Sequence, residues 1–228
     1  MNLPDFLYGV YPYIALSVFL LGSLLRFERD QYSWKSDSSQ LLDKQGLRVG
    51  SNLFHIGILA VFGGHFVGLL TPHHWFLALG VSDMQHQWLA IVAGSVFGGL
   101  CLIGGAMLWQ RRMFNPRISL TSRGSDKFIL SWLLLTLILG LSTIPVSIGH
   151  AGHHNPDVMI ALANWAQSII TLHPQPELLA KVDSVFLIHL FCGMTVFLLF
   201  PFTRLVHVWS APLGYVGRAY QIVRSKRA

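Results

Sequence analysis

Five stretches of this chain, at about 8–25, 50–71, 88–109, 128–148 and 184–206, run through apolar residues with scarcely a charge among them. Coiled as a helix rising about 1.5 Å per residue, about twenty residues reach across the roughly 30 Å of a bilayer's hydrocarbon. Lipid offers no partner to a backbone amide, so such a stretch crosses with its hydrogen bonds satisfied inside the segment, as a helix. The 228 residues alone would suggest one or two soluble domains. A composition 53% hydrophobic and only 11% charged argues otherwise. The expected fold is an all-α integral membrane protein: one membrane domain over residues 1–228 with five transmembrane helices and a basic tail at 209–228.

The cations orient it. Of 16 Lys and Arg residues, five lie in 26–48, five in 111–127 and five at or beyond the end of the fifth run, leaving only Lys181 in the alternate connections. Basic loops stay in the cytoplasm, which puts the N-terminus outside (periplasmic) and the C-terminus inside. The net charge of +6 then reflects topology and attraction to the membrane surface, not a nucleic-acid footprint. No basic residue precedes the first apolar run, and Arg26 and Arg29 follow it as a stop, so that run reads as an anchor and not a cleaved signal. Cys101 and Cys192 both fall inside apolar runs, as small fillers rather than a disulfide or metal pair.

Between the runs, residues 26–48 mix bases, acids, Tyr32 and Trp34, which suits a solvated loop or a docking surface for a cytoplasmic partner. Pro72 should end the second helix in an outer loop, TPHHWF. In the third run Gly94 and Gly98 form a small-xxx-small face for close helix packing. Glycines also leave room for a flat macrocycle or a quinone, a reading that Gly57, Gly63, Gly64 and Gly68 fit better. The fourth run has no ionisable residue and reads as scaffold, bent near Pro145. Val158, Leu162, Trp165 and Ile169 recur at helical spacing in the long outer connection, predicting an amphipathic helix along the interface.

Eleven histidines punctuate this chain. Seven (His73, His74, His86, His150, His153, His154 and His173) fall in outer loops or at helix ends, either simply solvated or, at HAGHH, as a short metal-binding tract. Four are intramembrane: His55 and His65 on the second run, His189 and His207 on the fifth. A histidine in hydrocarbon is costly and by default functional. Ten residues separate His55 from His65, about 15 Å in depth and about a quarter-turn in azimuth, so one small ion cannot take both. Two helices with two imidazoles each suggest two stacked bis-histidine haems, held between helices 2 and 5. Antiparallel helices pair His55 with His207 and His65 with His189. The 18 residues from His189 to His207 would span about 27 Å as a straight helix, against about 15 Å on the other, and tilt together with a kink at Pro201 would have to shorten the longer projection. Arg111, Arg112 and Arg204 at the inner boundary read as partners for haem propionates or simply as charges held inside.

YPYIALSVFLLGSLLR, SNLFHIGILAVFGGHFVGLLTPH and FLLFPFTRLVHVWS resemble the gamma subunit of respiratory membrane-bound nitrate reductase over nearly the whole chain, all four histidine positions included. The resemblance implies a diheme cytochrome b of the bacterial inner membrane that oxidises quinol, menaquinol or ubiquinol, near the outer face. Electrons then pass inward to an iron–sulfur beta subunit and a molybdenum alpha subunit that reduces nitrate. It implies that His55 and His207 hold the inner haem and His65 and His189 the outer one, with quinol against His65 and Gly64. The family's lysine at the start of the third helix is replaced here by His86, which could hydrogen-bond a quinone oxygen or accept a proton. Electrons moving inward against the membrane potential lose about 2.3 kcal/mol per 100 mV, so the inner haem is expected to have the higher potential.

Two other readings compete. One is the haem b subunit of a different quinol-linked complex, of sulfite- or heterodisulfide-reductase type, where the ligands stand and the acceptor changes. The other is a metal-ion transporter, which would need acidic residues near the midplane; the five runs contain none.

Overall fold

The computed structural model describes residues 2–34, 43, 45–153 and 155–210. Most of the expected basic tail (211–228), residues 35–42 and 44 of the first basic loop, and His154 lie outside the described residues. The described residues are helical throughout, with no strand among them, and five helices are long and apolar enough to cross a membrane. These are α1 (Leu3–Arg29), α2 (Leu47–Leu70), α4 (Asp83–Phe114), α6 (Gly124–Gly152) and a fifth span, Ser184–Phe202, whose α-helical part is α8 (Ser184–Leu199). Three shorter helices fill the connections: α3 (His73–Ala78), α5 (Pro116–Thr121) and α7 (Asp157–Ile170).

Local sequence explains where these elements start and bend. Pro12 has no N–H for the carbonyl one turn back, and the chain widens into a π turn over Phe6–Val10 just before it. Ser82 caps α4, accepting from the Gln85 backbone N–H while the Gln85 side chain accepts from Ser82 N. Pro72 does end α2, but HHWFLA then coils as α3 in place of the expected loop, because His73 to Ala78 can close a turn before Gly80 stops it at φ +77°. The helix expected around Val158 to Ile169 is present as α7. Its apolar face lies on protein: Trp165 is buried, donates from Nε1 to Tyr8 O at 2.8 Å, and packs with Tyr8, Leu179, Val182 and Phe186.

The fifth run departs most from expectation. Instead of one helix to 206, α8 gives way at Leu199 to a 3₁₀ turn over Phe200–Phe202. Thr203 is extended (φ −124°, ψ 179°), and a second 3₁₀ segment, Arg204–Ser210, follows. Pro201 cannot donate into the helix ladder, so the chain turns there.

Side by side, α2 packs on α4, α4 on α6, α6 on α8 and α8 on α1. The glycine contact that sets the tightest approach is not the expected Gly94–Gly98 face. A Cβ on Gly94 would meet nothing within 4 Å, and one on Gly98 would meet only the Leu141 side chain. The backbones of α2 and α4 meet instead at Gly57 and Gly104: a Cβ on Gly57 would stand 2.5 Å from Cys101 N, and one on Gly104 2.3 Å from Phe54 N. Cys101 and Cys192 are buried free thiols, as fillers should be. Gly57→Ala should therefore destabilise the protein by about 1–3 kcal/mol, while Gly94→Ala should not. Thermal unfolding of the detergent-solubilised protein checks both: the first lowers Tm, the second leaves it in place.

Candidate functional site

The break after α8 has a direct consequence for the four histidines of the second and fifth runs. His55 and His65 stand on the continuous helix α2, exposed on a face where almost nothing is buried. His189 stands on α8 and His207 on the 3₁₀ segment beyond the corner. Because the chain turns at Pro201–Thr203, His207 comes back beside His55, with ring centroids 6.5 Å apart and ring planes at 74°. His65 and His189 face each other at 6.0 Å and 50°. The corner at Pro201–Thr203 takes up the mismatch between 15 Å and 27 Å.

Each ring is tethered in the same way. Its Nδ1 lies against a backbone carbonyl: Ser51 O for His55 (2.7 Å), Val61 O for His65 (2.8 Å), Thr136 O for His189 (3.0 Å) and Arg204 O for His207 (2.6 Å). A neutral imidazole that donates from Nδ1 carries its lone pair on Nε2, the form a metal takes. Two of these carbonyls lie one turn back on the histidine's own helix, but Thr136 belongs to α6. That helix, expected to be scaffold only, also contributes Gly140, where a Cβ would stand 2.8 Å from His189 Cε1. No residue type in α6 announces this role; a carbonyl and a missing side chain leave no sequence signal.

Among the described residues, no three His, Cys, Asp or Glu side chains gather to hold a lone metal ion. Three of the outer histidines sit in pairs or stacks: His73 Nδ1 lies 3.0 Å from Asp83 Oδ1, His150 Nε2 lies 3.3 Å from Asp183 Oδ2, and His86 stacks on Phe76 at 4.1 Å. His86 and His73 line a small pocket with Gly68, Thr71, Phe76 and Asn164. Gly63 and Gly64 lie against open space.

Known proteins decide the family. The family model for the nitrate reductase gamma subunit matches residues 4–226. The chain is 52% identical to the respiratory nitrate reductase 2 gamma chain of Escherichia coli K12, and 49% identical to the respiratory nitrate reductase 1 gamma chain of that organism; each match covers 97% of both chains. It is 38% identical to the nitrate reductase gamma chain of Bacillus subtilis 168, over 96% of this chain and 97% of that one. The chain belongs to the nitrate reductase gamma subunit family. With its five apolar helices it is a multi-pass inner-membrane subunit of an oxidoreductase complex, associated with other nitrate reductase subunits.

In this member of the gamma family, two of the three arginines considered for a cofactor's carboxylates hold carboxylates of the chain itself. Arg112 is buried and pairs with the buried Asp126 at 3.2 Å, tying α4 to the start of α6. Arg111 Nη1 lies 3.0 Å from Asp43 Oδ2, and Nη2 donates to Asp43 O. Asn115 Nδ2 donates to the same carboxylate at 2.9 Å. The Gln45 backbone N–H, ahead of the Arg111 charge, holds the Asp43 carboxyl below the usual carboxylate range. A carboxyl lowered on folding contributes stability that is complete above its unfolded pKa, about 3.9, and is lost as pH falls through the lower folded value. Asp43→Asn should lower Tm at pH 7, and the gap to the parent should close below about pH 4; a gap that holds constant across that range would contradict it.

Proposed function

We propose that this chain is the quinol-oxidising cytochrome b subunit of a membrane-bound nitrate reductase, with its N-terminus periplasmic and its C-terminus cytoplasmic. His55 and His207 are assigned to one b-type haem toward the cytoplasmic face, and His65 and His189 to a second toward the periplasmic face. The orientation rests on the cations, fifteen of sixteen of which fall on the cytoplasmic side in this arrangement.

The observation that carries the reading is the separation of the paired rings. Each pair would hold one haem iron through one nitrogen from either ring, at metal–nitrogen bonds of about 2.0–2.1 Å. The pairs stand at 6.5 and 6.0 Å. The donor set fits the group as well: four rings tethered through Nδ1, on facing elements whose own packing is directed elsewhere, with open room beside His65 at Gly63 and Gly64. When bound, the two irons supply one-electron carriage between the two faces of the membrane.

The chain's own residues supply the rest. The carbonyls of Ser51, Val61, Thr136 and Arg204 fix the tautomer and angle of each ring and raise its basicity. Quinol is assigned to the side of His65 and Gly64 that continues to Gly68, where a Cβ would stand 3.6 Å from His86 Nε2. His86, braced on Phe76, is placed to hydrogen-bond a quinol oxygen or take its proton toward the periplasm. Nitrate is assigned to a molybdenum alpha subunit reached through an iron–sulfur beta subunit, since two separated, buried cysteines cannot bind a cluster here. Family membership favours this acceptor over a sulfite- or heterodisulfide-type partner, for which the same ligands would serve.

Replacing the four histidines one at a time and counting b-type haems per complex tests the reading. His55 and His207 variants should lose one and the same haem, and His65 and His189 variants the other. Retention of two haems in every variant would overturn it. Gly140→Ala, which drives a Cβ into His189, should disturb only the haem of the His65–His189 pair; optical redox titration in membranes reads this, and a parental titration curve would contradict it.

A further inference from the structure

The corner that delivers His207 is held from across the bundle. Pro201 and Thr203 sit where the helix ladder is interrupted, and both of their carbonyls are taken by one side chain: Arg26 Nη1, at the end of α1, donates to Pro201 O at 2.6 Å and to Thr203 O at 2.8 Å. The guanidinium is itself aimed, because Nε donates to Ser33 Oγ at 3.1 Å and Nη2 to Ser33 O at 3.0 Å. One turn earlier on the same face of α1, Gly22 receives the proline ring; a Cβ there would stand 2.8 Å from Pro201 Cγ. Trp34 closes the far end of the segment, donating from Nε1 to Ser210 Oγ at 2.6 Å.

We propose that Arg26 is a positioning residue for His207: with Gly22 it fixes the Pro201–Thr203 corner and so sets where the second imidazole of the His55–His207 pair stands. The inference rests on the reading of that pair as iron ligands. A basic residue at a helix end also serves as a topological anchor, and for that role lysine is as good. A corner clamp needs more than charge. It needs a planar fork whose several N–H groups reach three carbonyls and a hydroxyl at once, which an ammonium does not reproduce. Glycine at 22 is required by the same corner from its other side, independently of any charge.

The test uses the intact complex in native membranes, with Arg26→Lys and Gly22→Ala beside a His207→Ala reference. The readouts are the low-spin EPR spectrum of the oxidised haems and haem retained per complex after detergent extraction. Both variants should assemble and keep the His65–His189 haem signal unchanged. The signal that His207→Ala removes should shift, or its haem should be retained roughly 10- to 100-fold less tightly, as for other residues that orient a metal's ligand. Parental spectra and retention in both variants would overturn the positioning role, and so would equal loss of both haems, which marks general unfolding. If His207→Ala itself removes no haem signal, the ligand reading fails instead.

Discussion

An imidazole carried into or beside hydrocarbon is tolerable only when its ring nitrogens are engaged, and the four histidines of the two ring pairs answer half of that demand alike, each with Nδ1 on a backbone carbonyl. The rest of the bundle serves this arrangement. Helix α2 carries two of the rings and meets α4 at its own Gly57 and at Gly104 of α4, so that its histidine face stays clear of that packing. Helix α6 orients the third ring with a carbonyl and yields it space at Gly140. The corner at Pro201–Thr203 carries the fourth, and α1 holds that corner.

Much of this was legible in the residues because hydrophobicity and charge are written one residue at a time. The five spans follow from apolar runs, α7 from the spacing of Val158, Leu162, Trp165 and Ile169, and the four histidines from their cost in lipid. The unpaired cysteines follow from their places inside apolar runs. What stayed hidden depends on tertiary placement. A helix–helix contact through Gly57 and Gly104 is indistinguishable in sequence from one through Gly94 and Gly98, since both faces are small. Arg26, Arg111 and Arg112 count as topological charges until the structure brings Pro201, Asp43 and Asp126 to them. Trp34, which suits a docking loop by composition, is turned onto Ser210 within the chain.

The spacing conflict between the two histidine-bearing elements is the most instructive case. A straight helix from His189 to His207 overshoots His55 by about 12 Å at about 1.5 Å per residue. Pro201 marks where the chain can turn but not how far. The extended Thr203 and the second 3₁₀ segment set the angle, and α1 touches both, through Arg26 on Thr203 O and Phe19 stacked on Trp209.

The claim on which all of this turns is that each imidazole pair grips one iron. A cryo-EM map of the complex in lipid, with side chains resolved, tests it most directly. The account predicts two porphyrin densities, one bonded to His55 and His207 and the other to His65 and His189, with the irons about 15 Å apart along α2. Rings joined in any other combination, or side chains filling the space between α2 and α8, would contradict it.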